Sequence, residues 1–128
     1  MTDQTDLQRE MNRQLEQKTI FEQAKAYAFD YMDRVSEMPA VPSVESKRAL
    51  RAFDEALPQG PQSAEEILAL LQEAGQPNLS AQGGGRYFGF VNGGILPVSL
   101  ATRRMADAWE QNPALSVMSP RAAKLEDV

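Results

Sequence analysis

The chain has 128 residues, is 42% hydrophobic and carries a formal net charge of -5. That is one ordinary domain's worth of sequence, too apolar for full disorder, with scattered basic residues that give no electrostatic footprint for nucleic acid. It contains neither cysteine nor histidine, which excludes disulfides, thiolate chemistry, Ser-His-Asp and Cys-His arrangements and the usual zinc ligands.

The N-terminus MTDQTDLQREMNRQ is too polar for a signal peptide, and no apolar run reaches membrane-spanning length. The expected location is cytoplasmic, with no membrane and no nucleic acid as partner. Residues 1–18 read as a polar, flexible lead-in, and residues 19–128 as the structured segment.

From Thr19 the apolar residues recur at helical spacing: Ile20, Phe21, Ala24, Tyr27, Ala28, Tyr31, Met32 and Val35. Glu22, Lys25, Asp30, Asp33 and Arg34 lie opposite, so the pattern predicts one long amphipathic helix that Pro39 ends. Its aromatics read as packing. Met38-Pro-Ala-Val-Pro-Ser43 is an extended connector, with two prolines that favour polyproline geometry.

A second helix should carry Ala49, Leu50, Phe53 and Leu57 on one face, broken by Leu57-Pro-Gln-Gly-Pro61. Ser63-Ala-Glu-Glu66 is a capping box, in which the hydroxyl takes an amide and Glu66 reaches back. It opens a third helix with Ile67, Leu68 and Leu71 inside and Gly75 placed to end it. Glu65 and Glu66 read as charges favoured at a helix start by its dipole, not as an acid-base pair.

The stretch GGGRYFGFVNGGILP, from Gly83 to Pro97, packs six glycines around Tyr87, Phe88, Phe90 and Val91. Two readings stand side by side. Glycines can let a ligand or another backbone approach, so the stretch would be a shaped surface. Alternatively, Asn92-Gly93 is the centre of a type I′ turn joining two short strands. A phosphate-cradling loop is poorly supported, because GGGRYFG does not satisfy the G-x-G-x-x-G spacing.

Pro97 suits the first position of a helix, in which Val98, Ala101, Met105, Ala108 and Trp109 make the inner stripe and Arg103 and Asp107 can pair outside. Asn112-Pro113 should stop it, and residues 114–118 read as extended. Ser119-Pro120 then opens a last helix, RAAKLEDV, which has a start signal and no stop signal, so the sequence reads as cut.

The run GGGRYFGFVNGGILP, followed by WEQN and SPRAAKLE, resembles the N-terminal segment of the group II pyridoxal-phosphate-dependent decarboxylases, which act on aromatic amino acids, tyrosine or glutamate. The helical portions from residue 20 onward are similar in order. Arg103-Arg104 departs from the family's more neutral helix face.

The resemblance implies a mainly α segment with a short Gly-rich extended stretch, detached from the α/β large domain that holds the cofactor. It implies that Phe90, Val91, Asn92, Gly93 and Gly94 line the substrate side of the pocket, and that Asn112, Pro113 and Ala114 reach the neighbouring subunit's site. An apolar wall there is sensible, since excluding water raises the energy of a scissile carboxylate. The first helix would pack across a dimer.

The family's cofactor-holding lysine follows a histidine, and a second histidine stacks on the ring. This chain has no histidine, and Lys18, Lys25, Lys47 and Lys124 sit on polar helical faces. The implied part is therefore substrate contact and dimer contact in an amino-acid decarboxylase, with no catalytic residue, no metal and no pyridoxal phosphate held by this chain alone. Its partners would be a homo-oligomer or the remainder of the enzyme. A stand-alone helical module that pairs with an intact decarboxylase subunit is the alternative.

Overall fold

The computed structural model describes residues 2–92, 94–110 and 117–126. The protein is mainly helical, 64% of it helix, with no strand among the described residues. It divides into two compact units, Met1–Asn92 and Gly93–Val128.

The first unit opens on helix α1, Thr2–Gln17, where the composition had suggested a flexible lead-in. The segment lacks Gly and Pro and is built largely from Gln, Glu, Arg, Leu and Met, which cost little in a helix. Arg9 pairs with Asp6 at 2.9 Å, and the Arg13 Nε donates to Glu10 at 2.7 Å. Pairs one turn apart support a helix only modestly when water screens them. The hydrogen bond from Arg13 holds the Glu10 carboxyl below its ordinary range.

Helix α2, Thr19–Arg34, is the long amphipathic helix that the periodicity predicts. Ile20, Ala24, Tyr27, Ala28, Tyr31 and Val35 form its half-buried side, while Phe21 and Met32 of the expected stripe are exposed. The helix stops five residues ahead of Pro39. A turn closed by Glu37 N–H and Met38 N–H on the Arg34 carbonyl unwinds it first, since the residue before a proline disfavours helical backbone.

Ser43 caps the short helix α3, Val44–Arg48, accepting from the Ser46 amide at 3.0 Å. A 3-10 turn, Ala49–Phe53, extends it. The expected second helix thus ends before Leu57, which stands 86% exposed in the non-helical residues 54–62.

Helix α4, Ala64–Leu70, begins at Ser63, whose hydroxyl accepts from the Glu66 amide at 3.3 Å. The same hydroxyl donates to Glu65 Oε2 at 3.0 Å, a side-chain bond in place of the reach-back expected of Glu66. Leu68 and Leu70 are half-buried, whereas Ile67 and Leu71 are exposed.

The chain continues past α4 as a π turn, Leu71–Gly75, and a 3-10 turn, Gln76–Asn78. Gly75 keeps right-handed backbone (φ -83°), so it is not the left-handed terminator the sequence suggested. Termination falls to Pro77, which has no amide to donate, and to Asn78, whose Nδ2 donates to the Ala74 carbonyl at 2.8 Å. Gly75 instead faces the Phe53 ring.

Helices α2 and α4 pack together, and the 3-10 turn after α3 packs on the π turn. Gln23 of α2 ties the pair by donating to the Glu65 carbonyl at 3.1 Å. The fully buried apolar residues among those described are small, Ala74 and Ala81. Larger apolar side chains reach only partial cover.

The second unit holds α5, Pro97–Trp109, and α6, Pro120–Glu126. Pro97 occupies the first turn as expected. The predicted inner stripe of Val98, Ala101, Met105, Ala108 and Trp109 is exposed throughout. The helix ends because Glu110 turns left-handed (φ 46°) while its amide closes on the Ala106 carbonyl. The proposed stop, Asn112-Pro113, and the extended residues 114–116 lie outside the described residues. At α6, Ser119 is buried, its carbonyl accepts from the Ala123 amide at 3.1 Å, and the Arg121 guanidinium lies 4.6 Å from the Trp109 ring centroid.

Candidate functional site

The glycine stretch forms a loop seated at the C-terminal end of α2. Ala81 is buried beneath it, and the Gly84 amide closes a turn on the Ala81 carbonyl at 2.9 Å. A Cβ placed on Gly84 would lie 2.7 Å from the Val35 carbonyl oxygen. Glycine is required there by close backbone approach. Arg86 fastens the next segment, its guanidinium donating to the Glu37 carbonyl at 3.2 Å and to Glu37 Oε2 at 3.3 Å.

The aromatic run is not a strand. Tyr87 folds inward over Gly89, where a Cβ would meet its hydroxyl at 2.9 Å. The Asn92 amide then closes on the Gly89 carbonyl at 3.1 Å, with Phe90 (φ 54°) and Val91 (φ 58°) at the centre. Two successive left-handed residues give the sense of a type I′ turn. The primed turn therefore sits two residues earlier than the Asn92-Gly93 alternative placed it, on residues that resist it. Left-handed backbone costs about 1–2 kcal/mol for an L-residue, and a β-branched one is the least tolerant.

Asn92 anchors the turn by donating from Nδ2 to Gln82 Oε1 at 3.1 Å. Phe88, Phe90 and Val91 stand out from that base at 93%, 92% and 104% exposure. The loop is held from below and apolar above.

Replacing Val91 by glycine should raise stability by about 1 kcal/mol, by relieving the left-handed residue. Urea unfolding would register this as a higher midpoint at unchanged slope. An unmoved or lowered midpoint would mean that the turn is not strained in solution.

Of the residues expected to line a pocket, Phe90, Val91 and Asn92 share this one turn. Gly94 belongs to the second unit, meets nothing within 4 Å and has no left-handed backbone, so no backbone demand explains it. Gly93, Asn112, Pro113 and Ala114 lie outside the described residues. Sequence reasoning missed Gln82, Gly84, Arg86 and Glu37, which build the base. A pairing 49 residues apart, as between Arg86 and Glu37, leaves no short-range signal.

The turn offers no acid, base or nucleophile, so what it can do is make apolar contact. Among the described residues no three His, Cys, Asp or Glu side chains could hold a metal ion, and no helix is long and apolar enough to cross a membrane. All four lysines are exposed. Lys25 is paired with Glu22 at 2.6 Å, and Lys18 forms the junction between α1 and α2. An amine that binds a cofactor aldehyde must be sheltered and tuned; these residues do not fit pyridoxal phosphate. No family model matches the sequence, and no curated protein or solved structure matches the chain.

Proposed function

We propose that the chain is an N-terminal substrate-lining and dimer-contact segment of a pyridoxal-phosphate-dependent amino-acid decarboxylase, not catalytic by itself. The observation that carries this reading is the turn at Phe90 and Val91, strained and uncovered on a base pinned by Gly84, Arg86 and Asn92. Backbone strain persists where surrounding contacts impose it, and it concentrates at ligand contacts. The motif order described above supplies the identity of the ligand class.

The cofactor, when bound in such an enzyme, supplies the electron sink for loss of CO2. Under this reading it is held by the remainder of the enzyme. The part assigned to this chain is an apolar wall at Phe90, Val91, Asn92, Gly93 and Gly94 that keeps water from the substrate carboxylate, together with the partner-subunit contact at Asn112, Pro113 and Ala114.

The exposed apolar faces of α2 and α5 favour a second reading, a helical module that pairs with an intact decarboxylase subunit. Reading the coding DNA beyond codon 128 separates the two. A continuation that encodes the cofactor-binding lysine motif is the expected result, and an in-frame stop with no such motif downstream would leave only the module.

Titration with pyridoxal phosphate followed by borohydride gives a biochemical check. The expected outcome is no saturable adduct at a single lysine and no release of CO2 from any amino acid. A stoichiometric adduct with turnover would overturn the assignment.

A further inference from the structure

We propose that Lys18 is a strained hinge, and that the chain exchanges between the bent α1–α2 arrangement and one continuous helix running from Thr2 to Arg34. Lys18 is left-handed (φ 59°, ψ 12°) between two right-handed helices. Its amide closes α1 on the Gln14 carbonyl at 2.9 Å, and its own carbonyl opens α2 by accepting from the Glu22 amide at 3.0 Å. Nothing in the local sequence asks for the break. Glu16-Gln-Lys-Thr-Ile20 contains no glycine, proline or asparagine, and lysine is a good helix former that enters left-handed backbone reluctantly.

The apolar pattern shows what straightening would do. At 3.6 residues per turn, Leu7, Met11, Leu15, Phe21, Phe29 and Met32 of an unbroken helix fall within about 60° of one line. All six are exposed in the bent form. The half-buried residues of α2, Ile20 to Val35, fall on the other half of the same wheel. A straight helix would therefore keep its packing on α4 and gather the exposed apolar side chains of α1 and α2 into one stripe. In the bent form that line is interrupted at the junction.

The bend then rests on a residue that disfavours it.

The absence of cysteine makes the test clean. Cysteines introduced at Gln8 and Asp33, both exposed, carry a pair of spin labels whose separation is read by pulsed electron resonance. A continuous helix places these positions about 38 Å apart along its axis, and any bend shortens that. The full chain is expected to give two distance populations. Lys18→Gly, which favours left-handed backbone, should leave the short one. Lys18→Val, which resists it, should shift the bent-to-straight ratio by about fivefold or more toward the long one. The same single distance in all three chains would overturn the hinge. So would a Lys18→Val chain that loses helical circular dichroism, because the straight helix is what the hinge must be able to reach.

Discussion

Substituting Gly84 by valine is expected to destabilise the protein by about 1–3 kcal/mol, the range for forcing extra atoms into occupied space. The obstacle is a backbone carbonyl, that of Val35, 2.7 Å from where the Cβ must sit. A side chain could rotate away from such a contact, but a helix end cannot. The loop would have to lift off α2, taking with it the Arg86–Glu37 contacts. For a domain of this size each kcal/mol lowers the melting temperature by several degrees. Valine at Gly83 or Gly85, where nothing lies within 4 Å, is the control and should change little. Equal loss at all three positions would show that flexibility of the segment matters, not approach to Val35.

The isolated chain is also expected to associate. Phe21, Phe29 and Met32 on α2, Val98, Met105 and Trp109 on α5, and Phe88, Phe90 and Val91 on the loop are exposed. These exposed side chains leave each unit with uncovered apolar surface, the kind that favours association. A net charge of -5 slows encounter without removing the driving force. Light scattering should report a mass that rises above the monomer with concentration. A serine at Phe21 together with one at Phe29 should reduce that rise without loss of helicity, since neither side chain packs inside. A compact monomer at millimolar concentration would contradict this, and with it the reading of these faces as contacts made in a larger assembly.

How far the fold was legible varies by element, for physical reasons. Helix α2 announced itself because its inner side chains recur every three or four residues against a charged face, and Pro97 marked the start of α5 because a proline lacks only a hydrogen bond that position never makes. Helix α1 was misjudged because Leu7, Met11 and Leu15 place a single apolar residue in each turn, too thin a signal against a polar background. The inner face predicted for α5 is exposed because periodicity specifies which side chains share a face and not what covers it. The base of the loop was invisible because Gly84 and Arg86 meet Val35 and Glu37, just past the end of α2 and some fifty positions earlier. The turn reversed the usual rule: glycines were expected to take the left-handed positions, whereas Gly89 has ordinary backbone and Phe90 and Val91 carry the strain. Local propensity reads such a site wrongly because tertiary contacts impose it.

The stacking of Arg121 on Trp109 makes the second unit its own optical gauge. Trp109 is the chain's one tryptophan, so its emission comes from a single ring whose face carries a cation belonging to another helix. Detachment of α6 would uncover that face and change both intensity and colour. Thermal or urea titrations followed by tryptophan fluorescence would report on the loss of that contact, beside circular dichroism, which reads all the helices together.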